Sequence, residues 1–126
     1  MFAFPSVREF GGGAVLEAMA LGLAPVVLDY GGPAELIPRD CGIVIPLGSR
    51  ENLIISFREA LSRYCDQPEE AHAAGGRAQQ HVRANFTWAA KAAQLVKIYH
   101  WAIESAPEPK PDLFGHASWP LEKIDI

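Results

Sequence analysis

Cysteine, long apolar runs and clustered charge are what this 126-residue chain has least of. Its two cysteines, Cys41 and Cys65, stand at no metal-ligand spacing, and no histidine lies near enough to activate either as a nucleophile. A disulfide-stapled scaffold and a zinc module are thereby set aside, and both thiols are expected free and buried in a reducing compartment. No apolar run reaches membrane-spanning length. Met1–Pro5 has neither a basic leader nor an apolar core of signal-peptide length. With 11 Lys and Arg against 15 Asp and Glu, net charge −4 and no basic run, the chain lacks the electrostatic footprint of a nucleic-acid binder. Internal repeats are absent too. What remains, at 49% hydrophobic and 21% charged, is the composition of an ordinary globular domain.

Glycine is where the chain is rich, and it is placed with purpose. A short apolar run, Phe2–Phe4, breaks at Pro5 into a polar loop that carries Glu9 and three successive glycines, Gly11, Gly12 and Gly13. Helix formers follow from Ala14 to Leu21 and stop at Gly22. A β-branched run, Pro25–Leu28, leads to a second glycine turn at Gly31-Gly32. This predicts strand, glycine loop, helix, strand, glycine turn, helix. Glycines ahead of a helix leave its first amides open at the positive end of the helix dipole, which makes an anion site. A flexible lead-in to a helix is the plainer alternative.

Two carboxylates flank that loop, Glu9 before it and Glu17 after it. A carboxylate cannot bind phosphate, but it accepts hydrogen bonds from sugar hydroxyls, as in dinucleotide-binding folds. The pair therefore suits a ligand with both phosphates and hydroxyls, such as a nucleotide-sugar. Alternatively Glu9 is merely solvated and Glu17 favours the helix dipole.

The stretch resembles the donor-site signature of retaining GT-B fold glycosyltransferases of family 4 type, the glycosyl transferases group 1. The resemblance rests on Glu9, Glu17, Ala18-Met19-Ala20, Gly22, Pro25-Val26-Val27 and Gly31-Gly32-Pro33-Ala34-Glu35. It continues through Gly42–Gly48 and Asn85-Phe86-Thr87-Trp88, so it spans roughly residues 4–104. One departure stands out. The commoner family pattern has Gly-Phe-Gly after the first Glu, whereas here Phe10 precedes Gly11–Gly13.

The resemblance implies transfer of a sugar from a nucleotide-diphosphate sugar to an acceptor hydroxyl with retention of configuration, without metal or other cofactor. Glu9 would hold the donor sugar, Glu17 the ribose, and the amides of Gly11, Gly12, Gly13 and Ala14 the diphosphate, with Glu9, Gly12 and Gly13 as the catalytic positions. Glu35 joins the donor-binding set, although a first-turn Glu is favourable in any helix. Arg8 is near the loop but is assigned no task. Expected partners are the nucleotide-sugar donor, an acceptor that is a glycan, lipid or small molecule, and the missing N-terminal GT-B domain, with no nucleic acid. The implied location is cytoplasmic, with the inner membrane face reachable through the missing domain. Non-catalytic nucleotide binding, an inactive truncated relic and a GT-B-like epimerase are the competing readings.

The expected fold class is α/β, a partial Rossmann-like parallel sheet flanked by helices, the C-terminal half of the second GT-B domain. Met1 then falls inside a longer gene product, and residues 1–104 form the partial donor-binding domain. Beyond the glycine turns, Cys41–Ile45 predicts a buried strand. Ser49 is expected to cap a helix whose inner face is Leu53, Ile54, Phe57, Ala60, Leu61 and Tyr64. A further helix, Pro68–Phe86, is expected to be weakened at Gly75-Gly76, with His72 and His81 on the surface. Thr87 caps a last helix from Trp88 to about Glu104, and the proline-rich residues 105–126 form an extended tail.

Overall fold

A computed structural model describes residues 1–103; the expected tail lies outside the described residues. Three strands, β1 (Phe2–Phe4), β2 (Pro25–Leu28) and β3 (Ile43–Ile45), form one parallel sheet in the order β1-β2-β3. Phe2 pairs with Pro25 and Phe4 with Val27, while Val26 pairs with Ile43 and Leu28 with Ile45. The connections are helical: α1 (Gly13–Ala20) after β1, and the short α2 (Gly32–Glu35) after β2. Two long helices, α3 (Arg50–Asp66) and α4 (Pro68–Asn85), complete the first compact unit, Met1–Phe86. A second unit begins at Thr87 and holds α5 (Trp88–Ile103), whose Ala90 amide donates to Thr87 Oγ1 at 3.2 Å. The expected α/β class with a parallel sheet holds.

All four residues of β2 are buried, so it is the central layer of the unit. Side-chain alternation along it feeds two cores. Val27 joins Val15 and Met19 of α1 and Ala78 and Val82 of α4 on one face. Val26 and Leu28 join Ile45, Ala60 and Tyr64 on the other, where α3 packs. Pro25 is tolerated because it opens the strand. Since all strands run the same way, their three strand-to-helix loops emerge at one edge, and that edge carries both glycine turns.

Several boundaries and exposures differ from expectation. α1 starts at Gly13, with the left-handed Gly12 as its N-cap, because Gly12 accepts the first intrahelical bonds. β3 is shorter than Cys41–Ile45: the Cys41 amide turns back to Pro38 O at 2.9 Å, and Gly42 packs on Pro25. Ile54 is 57% exposed and walls a groove at the sheet edge with Leu53 and Phe57, so it leaves the buried face of α3. Cys41 is buried but Cys65 is exposed. His81 is half-buried, its ring tilted against Phe86 at 5.6 Å. Ser49 caps α3 as expected, accepting from the Asn52 amide at 3.2 Å.

The Gly75-Gly76 pair does not weaken α4, which runs unbroken through it. Gly75 lies so close to the Gly22 carbonyl that a Cβ there would overlap it. Gly22 itself has φ +77°, and the bonds Leu23 N to Ala18 O (3.0 Å) and Gly22 N to Met19 O (2.9 Å) complete a Schellman stop to α1. Gln79 Nε2 adds a bond to Ala20 O at 2.8 Å. The missing side chain at Gly75 is what lets α4 sit on the end of α1. Gly76, one residue on, would place a Cβ in open space.

Adjacent glycines therefore predict opposite outcomes. Gly75→Ala is expected to lower stability by about 1–3 kcal/mol through overpacking against rigid backbone. Gly76→Ala is expected to raise it by about 0.5–1 kcal/mol, because the helix interior favours Ala. Urea midpoints of the two variants check this, and equal shifts of one sign would contradict the packing described. The thiols should separate as cleanly. Burial first, then the neighbouring Asp40 carboxylate, push the Cys41 pKa up to about 11. A chromogenic disulfide reagent at pH 8 should consume Cys65 alone in the native protein and reach Cys41 only on unfolding.

Candidate functional site

The loop from Pro5 to Gly12 crosses the carboxyl edge of the sheet and rests on the start of α2. Two glycines make that contact possible. Gly12 is buried in the left-handed region at φ +65°, and a Cβ on it would approach Leu36 Cδ1 to 2.8 Å and Pro33 Cα to 3.1 Å. Gly32 lies under the Phe10 carbonyl, which occupies the space a side chain would need. Gly31, at φ +60°, faces the Glu9 carbonyl. The first glycine loop and the second glycine turn are thus interlocked through backbone, and side chains at these positions would separate them.

Between the two lies a cleft of about 820 Å³. Glu9, Phe10 and Gly11 form one wall; Tyr30, Gly31 and Glu35 form the other. Arg8 lines the same cleft. Glu9 Oε1 accepts from the amides of Gly11 and Gly12, each at 3.3 Å. The carboxylate therefore holds the loop from within by satisfying two of its donors.

The start of α1 is arranged differently. No side chain caps it and its first turn contains no acid. The amides of Val15 and Leu16 bond to Gly12 O at 2.9 and 3.2 Å. Gly13 and Ala14, both exposed, head the helix before its first intrahelical bond. Their amides lie at the positive end of the dipole, where an anion is favoured.

Of the residues singled out by sequence, the fold brings Glu9, Gly11 and Glu35 together on the cleft wall. Gly12 is buried beneath it, while Gly13, Ala14 and Glu17 lie exposed along the first turns of α1, outside the lining. The four expected amides split into two groups: Gly11 and Gly12 turned to Glu9, Gly13 and Ala14 open. Sequence reasoning passed over Tyr30, and noted Arg8 near the loop without assigning it a task. Their only signal is position: Tyr30 directly precedes Gly31, and Arg8 precedes Glu9 in the loop after β1. Among the described residues no cluster of three or more His, Cys, Asp or Glu could hold a metal ion.

Comparison with known proteins places the chain in a family. The chain is 36% identical over 101 residues to the lipopolysaccharide core biosynthesis mannosyltransferase LpcC of Rhizobium leguminosarum bv. viciae, covering 79% of this chain and 28% of that protein. It is 32% identical over 108 residues to glycogen synthase of Vibrio cholerae, covering 80% of this chain and 22% of that one. Among solved structures, sucrose-phosphate synthase from Thermosynechococcus elongatus superposes with a TM-score of 0.63 at 28% identity, over 82% of this chain and 25% of that one. The chain thus spans roughly a quarter of the length of the proteins it matches. The profile of the family described as Glycosyl transferases group 1 matches residues 1–81, which include both glycine turns and the whole cleft. This chain belongs to the glycosyl transferases group 1 family.

Proposed function

We propose that this segment is the donor side of a glycosyltransferase that moves a sugar from a nucleotide-diphosphate sugar to an acceptor hydroxyl, with retention of configuration. The observation that carries the reading is the interlock itself, which sets two carboxylates, Glu9 and Glu35, on one cleft at the sheet edge and leaves the uncapped start of α1 exposed beside the same loop. The mannosyltransferase and glycogen synthase relatives support a sugar donor. Because the chain spans only about a quarter of them, the acceptor site and the remaining donor contacts are assigned to other parts of such an enzyme.

The chemistry follows from where charge develops. As the bond from sugar to diphosphate breaks, negative charge grows on the departing phosphate. The amides of Gly13 and Ala14, fixed at the dipole's positive end, stabilise that charge more than the ground state. Glu9, turning from the loop amides to a sugar hydroxyl, would release Gly11 and Gly12 as further donors. Glu17, one turn along α1, takes the ribose hydroxyls, and Glu35 borders the sugar end. In this assignment Glu9, Gly12 and Gly13 act at the reacting group and the other residues orient the donor. No helix among the described residues is long and apolar enough to cross a membrane, and a cytoplasmic site of action fits a nucleotide-sugar donor.

Amide NMR spectra titrated with UDP-glucose, ADP-glucose and GDP-mannose test the reading. Shifts are expected at Gly11–Ala14 and Glu17, and for one donor above the others. Glu17→Ala should weaken that donor by about tenfold through loss of a charge-assisted hydrogen bond. A well-dispersed spectrum that none of the three perturbs would count decisively against a donor site here.

A further inference from the structure

We infer that Phe10 is a specificity-determining residue of this cleft, its ring the platform on which the donor's sugar ring stacks. The inference rests on the donor-site reading and adds a residue to it. Phe10 is 98% exposed, the most exposed of the large apolar side chains among the described residues, and it stands on the cleft wall. A single exposed apolar residue ordinarily needs no explanation. This one differs because its backbone is held on both sides. Its carbonyl fills the space above Gly32, and the preceding Glu9 carboxylate bonds to the two amides that follow it. With its carbonyl wedged over Gly32, Phe10 presents an unpacked ring beside the carboxylates instead of folding it away.

The surroundings select the ligand chemistry. A pyranose has a rim of hydroxyls and faces of C–H groups. Carboxylates read the rim, and an aromatic face, negative at its centre, receives the C–H groups. Glu9 and Phe10 are consecutive residues that offer those two functions on the same wall, and Tyr30, 45% exposed, supplies a second aromatic opposite. The diphosphate end of the ligand would lie at the start of α1, which leaves the sugar end for Phe10. Such a platform selects by shape. A sugar whose stacked face carries an axial hydroxyl loses the contact, whereas one with a flat C–H face keeps it.

Binding of matched ligand pairs tests the inference: UDP-glucose against UDP, ADP-glucose against ADP and GDP-mannose against GDP, with wild type, Phe10→Ala and Phe10→Trp. Phe10→Ala is expected to bind the preferred nucleotide-sugar about three- to tenfold more weakly and its bare nucleotide within about twofold of wild type. Phe10→Trp should retain the sugar's contribution. Because the ring is unpacked, both variants should keep the wild-type amide dispersion, which is recorded in the same samples. Equal weakening of sugar-bearing and bare nucleotides, or no weakening of either, would overturn the role of Phe10 while leaving a nucleotide site in place. If wild type bound none of the six ligands, the donor reading would fall, and the inference with it.

Discussion

The backbone contact between the two glycine turns is the constraint on which the cleft depends. A parallel sheet brings the loops after β1 and β2 to one edge, but it does not make them touch. Touching requires that Gly12 lie tightly against Pro33 and Leu36, and that Gly32 sit where the Phe10 carbonyl leaves no room for a Cβ. At Gly32 the exclusion is nearly absolute because the obstacle is backbone, whereas at Gly12 the closest obstacle is the movable tip of Leu36. It acts with the backbone requirement at Gly12 and Gly31, where positive φ already disfavours other residues. Once the loops are seated, the positions of Glu9, Phe10, Tyr30 and Glu35 follow without further choice.

Electrostatics then decides how the unliganded loop behaves. Two amides pointing into a half-open loop would need a partner, and Glu9 supplies one carboxylate oxygen to both. Water competes for these bonds at the surface, so each is worth only about 1–2 kcal/mol net. That is weak enough for a ligand's oxygens to replace the carboxylate and strong enough to keep the loop in one shape beforehand. Preorganisation matters more than strength here. A loop already ordered loses less conformational entropy on binding than a flexible glycine run would.

Much of the fold was legible because hydrophobic periodicity and glycine punctuation agree. Phe2–Phe4 and Pro25–Leu28 read as strands and are strands, and Ser49 announces α3 through capping chemistry that operates locally. The misreadings share a cause, which is contact between residues distant in sequence. Gly75 looked like a helix weakness because propensity sees only the helix, whereas its reason is the Gly22 carbonyl. Ile54 has helical spacing with Phe57 and Leu61, yet the sheet edge ends before it and leaves it on an open groove. At the site, Glu9 and Glu35 were legible as carboxylates beside glycines. Tyr30 was not, and Arg8 was noted only as standing near the loop, because the seating of one loop on the other is what brings both to one cleft.

The same logic ties stability to the site at the far end of α1. With eight residues, the helix is about 12 Å long, too short to bend appreciably. Its N-terminal end is fixed by Gly12 beneath Leu36 and Pro33, its C-terminal end by Gly22 beneath Gly75 and by Gln79 on the Ala20 carbonyl. Between them Val15 and Met19 are wholly buried in the core that α4 completes. A rigid rod clamped at two ends translates when either clamp moves. The amides of Gly13 and Ala14 are therefore positioned partly by α4, which contributes no residue to the cleft lining. Electrostatic stabilisation of a developing charge depends on donor placement at the scale of tenths of an ångström. On the proposed reading, the close approach at Gly75 thus belongs to the geometry of the donor site as much as to the core.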